Sequence, residues 1–405
     1  MKKKKKSLIE KIKKFYDKKI KKNMTKYTMK ETALFMIITF SFGLVLGGII
    51  MYGKGPFSNS SSLNEFIATY NEISSYYYQD VDDEKLLEAG IKGMIGYLGD
   101  PYSSYMSGET AEDFNEDIDG YYQGIGAEIK YEKDKVIIGR IFEDSPASKA
   151  GLKTGDELIK VEDKSIKDMS LAKISSLVKG EKGTEVNITV IRDMKEILLK
   201  IKRDNVDSIS VTSEIIEKND KKVGYIYISV FASNTFKQFE KELKKLEEDK
   251  IDSLIIDVRG NQGGYLTAVT DIISLFVKKG EIIYQLKRKD NIEKIYDKTK
   301  DERNYPIVML VDSRSASASE VLVGALKETY KATIVGTKTF GKGKVQKVSA
   351  LSNGSIVKYT YEEWLTPDGN YIDREGITPD EEIKYVYDEK IDNQKEKALE
   401  IILSK

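Results

Sequence analysis

From Thr32 to Tyr52 the chain reads TALFMIITFSFGLVLGGIIMY, about 21 residues without a charged side chain. As a helix this run is long enough to cross the hydrocarbon core of a bilayer. It follows a strongly basic arm: residues 1–30 hold 14 Lys against Glu10 and Asp17. Lysines flanking one end of an apolar span place that end in the cytoplasm. The expected arrangement is a single-pass anchor in the cell membrane, with the basic arm (1–31) inside and everything after residue 52 outside. A cleaved signal peptide fits less well, because the arm is long and no A-x-A site follows the run. A basic arm can also bind nucleic acid, but one that leads into a membrane span is read as a topology signal, so no nucleic-acid partner is expected.

Beyond the span the chain is mildly acidic, with 52 basic and 64 acidic side chains in residues 31–405. It contains no histidine and no cysteine. The first absence removes any Ser-His-Asp triad and the usual base near neutral pH. The second removes thiol nucleophiles, disulfides and Cys/His zinc sites. Hydrolytic chemistry in such a chain rests on Ser, Thr, Lys, Tyr or carboxylates.

Gly53–Ser62 (53–62) reads as a short tether. Residues 63–119 carry helical periodicity, with Leu63, Phe66, Ile67, Tyr70 and Ile73 on one face and a second helix near Glu84–Tyr97. From 120 to 205 the pattern shifts to short alternating strands rich in Val and Ile, with SPASKAGLKTGD (145–156) between them. From 206 to 388 strands and helices alternate, which argues for an α/β domain with a largely parallel sheet. An amphipathic C-terminal helix is expected within 389–405. The expected fold class is α/β in a multidomain α+β chain.

Three segments carry chemistry. In VMLVDSRSASASEVLVGAL an apolar strand ends at Asp312 and a helix begins near Ser319. A serine at such a junction lies beside unpaired N–H groups that can hold an oxyanion. On that segment alone, helix capping by Ser317 or Ser319, with Glu320 in the first turn, is the simpler reading. In TKTFGKGKVQ (337–346), Lys342 stands between two glycines that permit close backbone approach. Burial can lower a lysine pKa enough for it to act as a base, and Gln346 lies four residues on. Taken alone, the segment is also an ordinary loop of surface lysines. In DVRGNQGGYL (257–266), glycines after a strand suit an oxyanion hole, and a plain turn equally.

Together the three resemble the C-terminal processing (tail-specific) peptidases. That family has D-x-R-x-N-x-G-G, then S-A-S-A-S-E, then F-G-K-G-x-V-Q, with the lysine 25 residues after the serine. Here the motifs are Asp257–Gly264, Ser315–Glu320 and Phe340–Gln346, and the spacing selects Ser317. The resemblance runs from about residue 63 to the end. It implies Ser317 as nucleophile, Lys342 as general base and Gln346 as the residue that orients the base. Ala318 and either Gly263 or Gly264 would form the oxyanion hole. It further implies a crotonase/ClpP-like protease core with an inserted PDZ domain (120–205), whose loop Gly124, Ile125, Gly126 and Ala127 would capture a substrate's terminal carboxylate. The plainer role for such a domain is packing. LGDPYSSYM (98–106) and WLTPDGNYIDREGITPDEEI (364–383) resemble further family segments.

The chain departs from the pattern in three places. Tyr102 stands where a histidine is common, Gln262 where a proline is frequent, and Val161-Glu-Asp-Lys164 in place of the usual PDZ turn. The function expected is a membrane-anchored serine endopeptidase acting on extracytoplasmic proteins with accessible C-termini. The rival is a PDZ scaffold without catalysis. No metal or organic cofactor is expected, and relatives suggest a homodimer built from the N- and C-terminal helices.

Overall fold

In the computed structural model the described residues are 14, 34–43, 61–108, 110–112, 114, 119–300, 303–388 and 391–405. The chain divides into two compact units, 1–91 and 92–405. In the first, residues 34–43 are helical, and Leu34, Phe35, Phe40 and Phe42 are each more than half exposed. The rest of the uncharged run, the tether up to Ser60 and all of the basic arm except Lys14 lie outside the described residues. Among the described residues no helix is long and apolar enough to cross a membrane. The predicted helical pair is present as Ser61–Tyr76 and a second helix that begins at Asp83. Asp82 caps the second by accepting from the N–H groups of Glu84 and Lys85, both at 3.1 Å. The expected apolar face of the first stays largely open, with Phe66 42% and Ile67 48% exposed.

In the second unit, residues 121–207 form a small β-domain. Six antiparallel strands, Ala127–Glu132, Lys135–Ile141, Glu157–Val161, the short Lys164–Ser165, Glu185–Arg192 and Lys195–Lys202, make its main sheet. A separate ribbon pairs Tyr121–Gly124 with Asp204–Asp207, so entry and exit of the domain lie side by side. Alternation along Glu185–Arg192 sends Val186, Ile188 and Val190 into a core shared with Ile138, Leu158 and Ile174. The helix Leu171–Val178 closes that core and is capped by Ser170, whose hydroxyl accepts from the Lys173 N–H at 3.3 Å. Asp156 is buried against Arg192, whose guanidinium donates at 2.6 and 2.7 Å and holds the carboxyl below its ordinary range.

The larger domain is built on a six-stranded sheet. Its strands are β1 (Val211–Lys218), β2 (Lys221–Ile228), β3 (Ser253–Asp257), β4 (Ile307–Val311), β5 (Thr333–Gly336) and β6 (Glu381–Glu382), in that order across the sheet. Only the β1–β2 pair is antiparallel. SLIID and IVMLV are buried at every residue, as a parallel sheet covered on both faces requires. Leu254, Ile256 and Met309 point toward helices α1 (Thr235–Glu248), α2 (Leu266–Ile273) and α3 (Ala318–Ala325). Ile255, Val308 and Leu310 point the other way, onto α4 (Asn393–Leu403) through Ala398, Leu399 and Ile402. The apolar side of the C-terminal helix, which relatives suggest as part of a homodimer contact, is used within the chain, to cover a sheet face that would otherwise lie in water. A second sheet, centred on Ile356–Leu365, holds Ser104–Met106, Ile282–Arg288, Asn291–Tyr296 and Lys344–Ala350.

Candidate active site

The ends of β3 and β4 are adjacent in the parallel sheet, so the turns after them meet. The first turn is fixed by its own side chains. Asp257 accepts from the Arg259 backbone and guanidinium and from the Tyr225 hydroxyl at 2.7 Å. Arg259 also donates to Asp392 at 2.7 and 3.0 Å and to Gln394 at 3.0 Å, which ties this turn to the start of α4. Asn261 is fully buried; its Nδ2 donates to the Ile228 carbonyl at 3.0 Å and its Oδ1 accepts from the Gly263 N–H at 2.8 Å. That bond engages Gly263. The N–H of Gly264 has no acceptor among the described residues, although the neighbouring Tyr265 N–H and Gly263 carbonyl both bond to Phe231. Gly264 has φ +140°, and a Cβ there would lie 2.1 Å from the Phe231 carbonyl oxygen, so only glycine fits.

The second turn is laced to the first. Asp312 Oδ1 accepts from the N–H groups of Gly260, Arg314 and Ser315. The Ser315 hydroxyl donates to the Val258 carbonyl at 2.8 Å, and the Ala316 N–H and Ser319 hydroxyl both donate to the Asn261 carbonyl. Of the three serines, Ser315 and Ser319 are thus consumed as buried ties. Ser317 is half-buried and sits at φ +55°, ψ −116°, a conformation uncommon for a non-glycine residue and characteristic of sharp functional turns. It immediately precedes α3, and the Ala318 N–H has no acceptor among the described residues. A Cβ placed on Gly263 would lie 2.8 Å from Ser317 Cβ and 3.0 Å from Ala318 N, so the two turns touch at the serine.

The loop carrying Lys342 folds against both. Gly341 and Gly343 are required by contact with segment 373–376: a Cβ on either would come within 3 Å of backbone nitrogens there. The Trp364 indole donates to the Lys342 carbonyl at 2.9 Å. The Phe340 N–H donates to the Ser315 carbonyl at 3.0 Å, which joins the loop to the serine turn. Glu320, buried beneath, accepts from the N–H groups of Ser317, Gly341 and Lys342 and from the Thr339 hydroxyl.

Burial pushes the Lys342 amine below the ordinary lysine range, and Lys358 adds to the shift, while Glu320 and Asp100 oppose it. The amine lies over the Tyr102 ring, 5.1 Å from its centroid. Among the described residues no hydrogen bond joins it to the Ser317 hydroxyl. Gln346 does not hold it either: its Nε2 donates to the Lys344 carbonyl at 3.1 Å. The orienting bond expected from sequence is therefore not made in this arrangement, because the amine has turned onto the tyrosine face. From sequence, Tyr102 is only a departure from the family pattern, and Glu320 only a first-turn residue that ends the S-A-S-A-S-E motif. Both lie far along the chain from the lysine they meet, and no local signal pairs them with it. Among the described residues no group of three or more carboxylates is arranged to hold a metal ion.

In the β-domain, Gly124–Ala127 border a cavity of about 230 Å³ lined by Tyr122, Ile125, Ala127, Ile129, Val178 and Lys179. Gly126 takes φ +77°, with Ser145 packed where a Cβ would project. The carbonyls of Ile125 and Gly126 accept from Ala147 and Phe142, whereas the N–H groups of these two loop residues have no acceptor among the described residues. A carboxylate needs donors of this kind.

Comparison with known proteins agrees with this division. Residues 222–383 match the profile described as Peptidase family S41, residues 123–202 a PDZ domain, and residues 52–110 the "Activating protease CtpB N-terminal domain". The carboxy-terminal processing proteases CtpB and CtpA of Bacillus subtilis (strain 168) are 40% and 37% identical, over 80% and 82% of this chain and 68% and 71% of theirs. A probable CtpA-like serine protease of Staphylococcus aureus (strain COL) is 38% identical over 80% of this chain and 65% of its own. The chain thus spans about two thirds of the length of these relatives. By sequence and by the fold that carries these motifs, it belongs to the S41 family of carboxy-terminal processing serine proteases.

Proposed function

We propose that the chain is a membrane-anchored endopeptidase that cuts extracytoplasmic polypeptides with a Ser317/Lys342 dyad, and that its PDZ domain recognises substrate C-termini. The observation that carries the reading is the meeting of three turns at Ser317. A serine in a sharp turn stands beside two unclaimed N–H donors, and the loop backbone bearing a desolvated lysine is clipped to that turn.

In the reaction, neutral Lys342 takes the hydroxyl proton as Ser317 Oγ attacks the scissile carbonyl carbon. The oxyanion is held by the N–H groups of Ala318 and Gly264, since Gly263 already donates to Asn261. Each such donor contributes about 2.7–4 kcal/mol to the transition state. Lys342 then returns the proton to the leaving amine, and water activated by the same lysine resolves the acyl-enzyme. The amine must first rotate off Tyr102 toward the serine, where Gln346 can hold it. The anchor is supported by the uncharged run, by the basic arm before it, and by the apolar side chains that residues 34–43 present to their surroundings.

The test is turnover of an unfolded protein substrate by the full-length chain in detergent. Ser317→Ala and Lys342→Met should each abolish it, and Ser317→Ala should also abolish labelling by a serine-directed fluorophosphonate. Cleavage that survives in both variants refutes the dyad. Peptide-tail binding in a wild type that shows no cleavage would favour the scaffold reading.

A further inference from the structure

Glu320 is fully buried on the first turn of α3, and the reaction above gives it no role. A buried carboxylate is costly unless every lone pair is engaged. An acidic residue in a helix's first turn ordinarily satisfies the helix's own N–H groups, and one of Glu320's bonds does this, from the Ser317 N–H at 2.9 Å. The other three reach across the chain to the lysine loop. Oε1 accepts from the Thr339 hydroxyl at 2.6 Å and from the Gly341 N–H at 2.7 Å; Oε2, already bonded to Ser317, accepts from the Lys342 N–H at 2.9 Å. The Thr339 oxygen itself accepts from the Ile377 N–H at 2.6 Å, so its own proton is free for Glu320. Three of the partners are N–H groups that can only donate and the fourth is a hydroxyl that donates here; together they favour the side chain as an acceptor, against the burial that pushes the carboxyl above its ordinary range.

We propose that Glu320 is the positioning residue that sets the distance and mutual orientation of nucleophile and base. The inference rests on the Ser317/Lys342 reading above. Two amide nitrogens that share one oxygen at 2.9 Å each cannot be more than twice that distance apart. The same oxygen holds the Ser317 N–H in its left-handed turn and fixes the backbone from which the lysine side chain reaches. In Glu320→Gln one end of the side chain becomes an NH₂: turned toward Ser317 and Lys342 it loses both of their bonds, and turned the other way it loses the Gly341 bond and leaves only the Thr339 hydroxyl able to accept.

Positioning and simple charge tuning predict different results. The groups around the Lys342 amine are Lys358, Glu320 and Asp100, together with the Tyr102 face, which itself lies near Asp373 and Arg374. Removing the Glu320 charge alone makes the amine easier to deprotonate and raises activity on the acid side. Loss of positioning lowers the rate at every pH.

The experiment is kcat and KM of the full-length chain across the pH range in detergent, with fluorophosphonate labelling of Ser317 in parallel. For Glu320→Gln we expect kcat to fall about 100-fold, the cost of misplacing a reacting group by about an ångström. KM should stay within about 3-fold, and the acid limb should move to lower pH. Thr339→Val removes one of the four bonds and leaves the charge, so kcat should fall several-fold with the pH profile unmoved; it decides the matter if Glu320→Gln does not fold. A Glu320→Gln or a Thr339→Val protein with wild-type kcat overturns the inference. If Ser317→Ala and Lys342→Met still abolish turnover in that case, the dyad reading stands and only the role of Glu320 falls.

Discussion

Asn261 offers a sharp test of how the oxyanion turn is built. Asn261→Ala removes the acceptor of the Gly263 N–H and the donor to the Ile228 carbonyl, bonds of 2.8 and 3.0 Å at a residue with no exposed surface. Each buried group left unpaired costs about 1–3 kcal/mol, so the two together cost about 2–6 kcal/mol. At about 2–4 °C per kcal/mol for a domain of this size, the melting temperature should fall by roughly 5–20 °C. Catalysis should suffer as well. The Asn261 carbonyl receives the Ala316 N–H and the Ser319 hydroxyl, so a relaxed turn carries the nucleophile with it. A shift of about an ångström there costs on the order of 100-fold in kcat. Thermal unfolding followed by circular dichroism, with turnover measured well below the transition, reads both effects. A variant that melts within about 1 °C of wild type and retains kcat within about 3-fold refutes the reasoning.

The base makes turnover depend on pH with a definite sign: the rate rises as Lys342 loses its proton, at a pH below the ordinary lysine range because burial and Lys358 disfavour the ammonium. Tyr102→Leu removes a ring face that favours the ammonium, by about 0.5–2 kcal/mol, so the acid limb should move down by about 0.4–1.5 pH units while Tyr102→Phe leaves it in place; an upward move contradicts the contact. The folded pKa lies below the unfolded one, so the unfolded chain binds more protons between the two and stability rises with pH across that window; Lys342→Met should accordingly melt no lower than wild type at neutral pH. Arg259→Met strands Asp257, whose side chain is 2% exposed, and cuts α4 from the oxyanion turn. A loss of about 3–5 kcal/mol in denaturant unfolding is expected, and an unchanged midpoint would show that the ion pair is not what anchors the helix.

Much of the architecture was legible from short windows of sequence. The LII of SLIID and the whole of IVMLV are continuous apolar runs of the kind a sheet covered on both faces buries, and both became central strands. The helix beginning at Ala318 followed from a strand end, small hydroxyl residues and Glu320. The contacts made by α4 were not legible: amphipathic periodicity says that a helix has an apolar side, and not whether sheet or partner covers it.

What the sequence alone determined about this protein is the set of available chemical groups and their order along the chain. Without histidine and cysteine, a hydrolase of this family has serine and lysine to work with, and the glycine turns and small-residue turn mark where they stand. Only the folded chain decided how those groups are arranged. It assigned Gly263's N–H to Asn261, turned the Lys342 amine onto Tyr102, left Gln346 on a backbone carbonyl and placed one carboxylate between the nucleophile and the base. The physical reason is range. Periodicity and turn chemistry depend on neighbours a few residues away, whereas a hydrogen bond or a side-chain torsion at this site depends on which distant segments the close-packed sheet brings together.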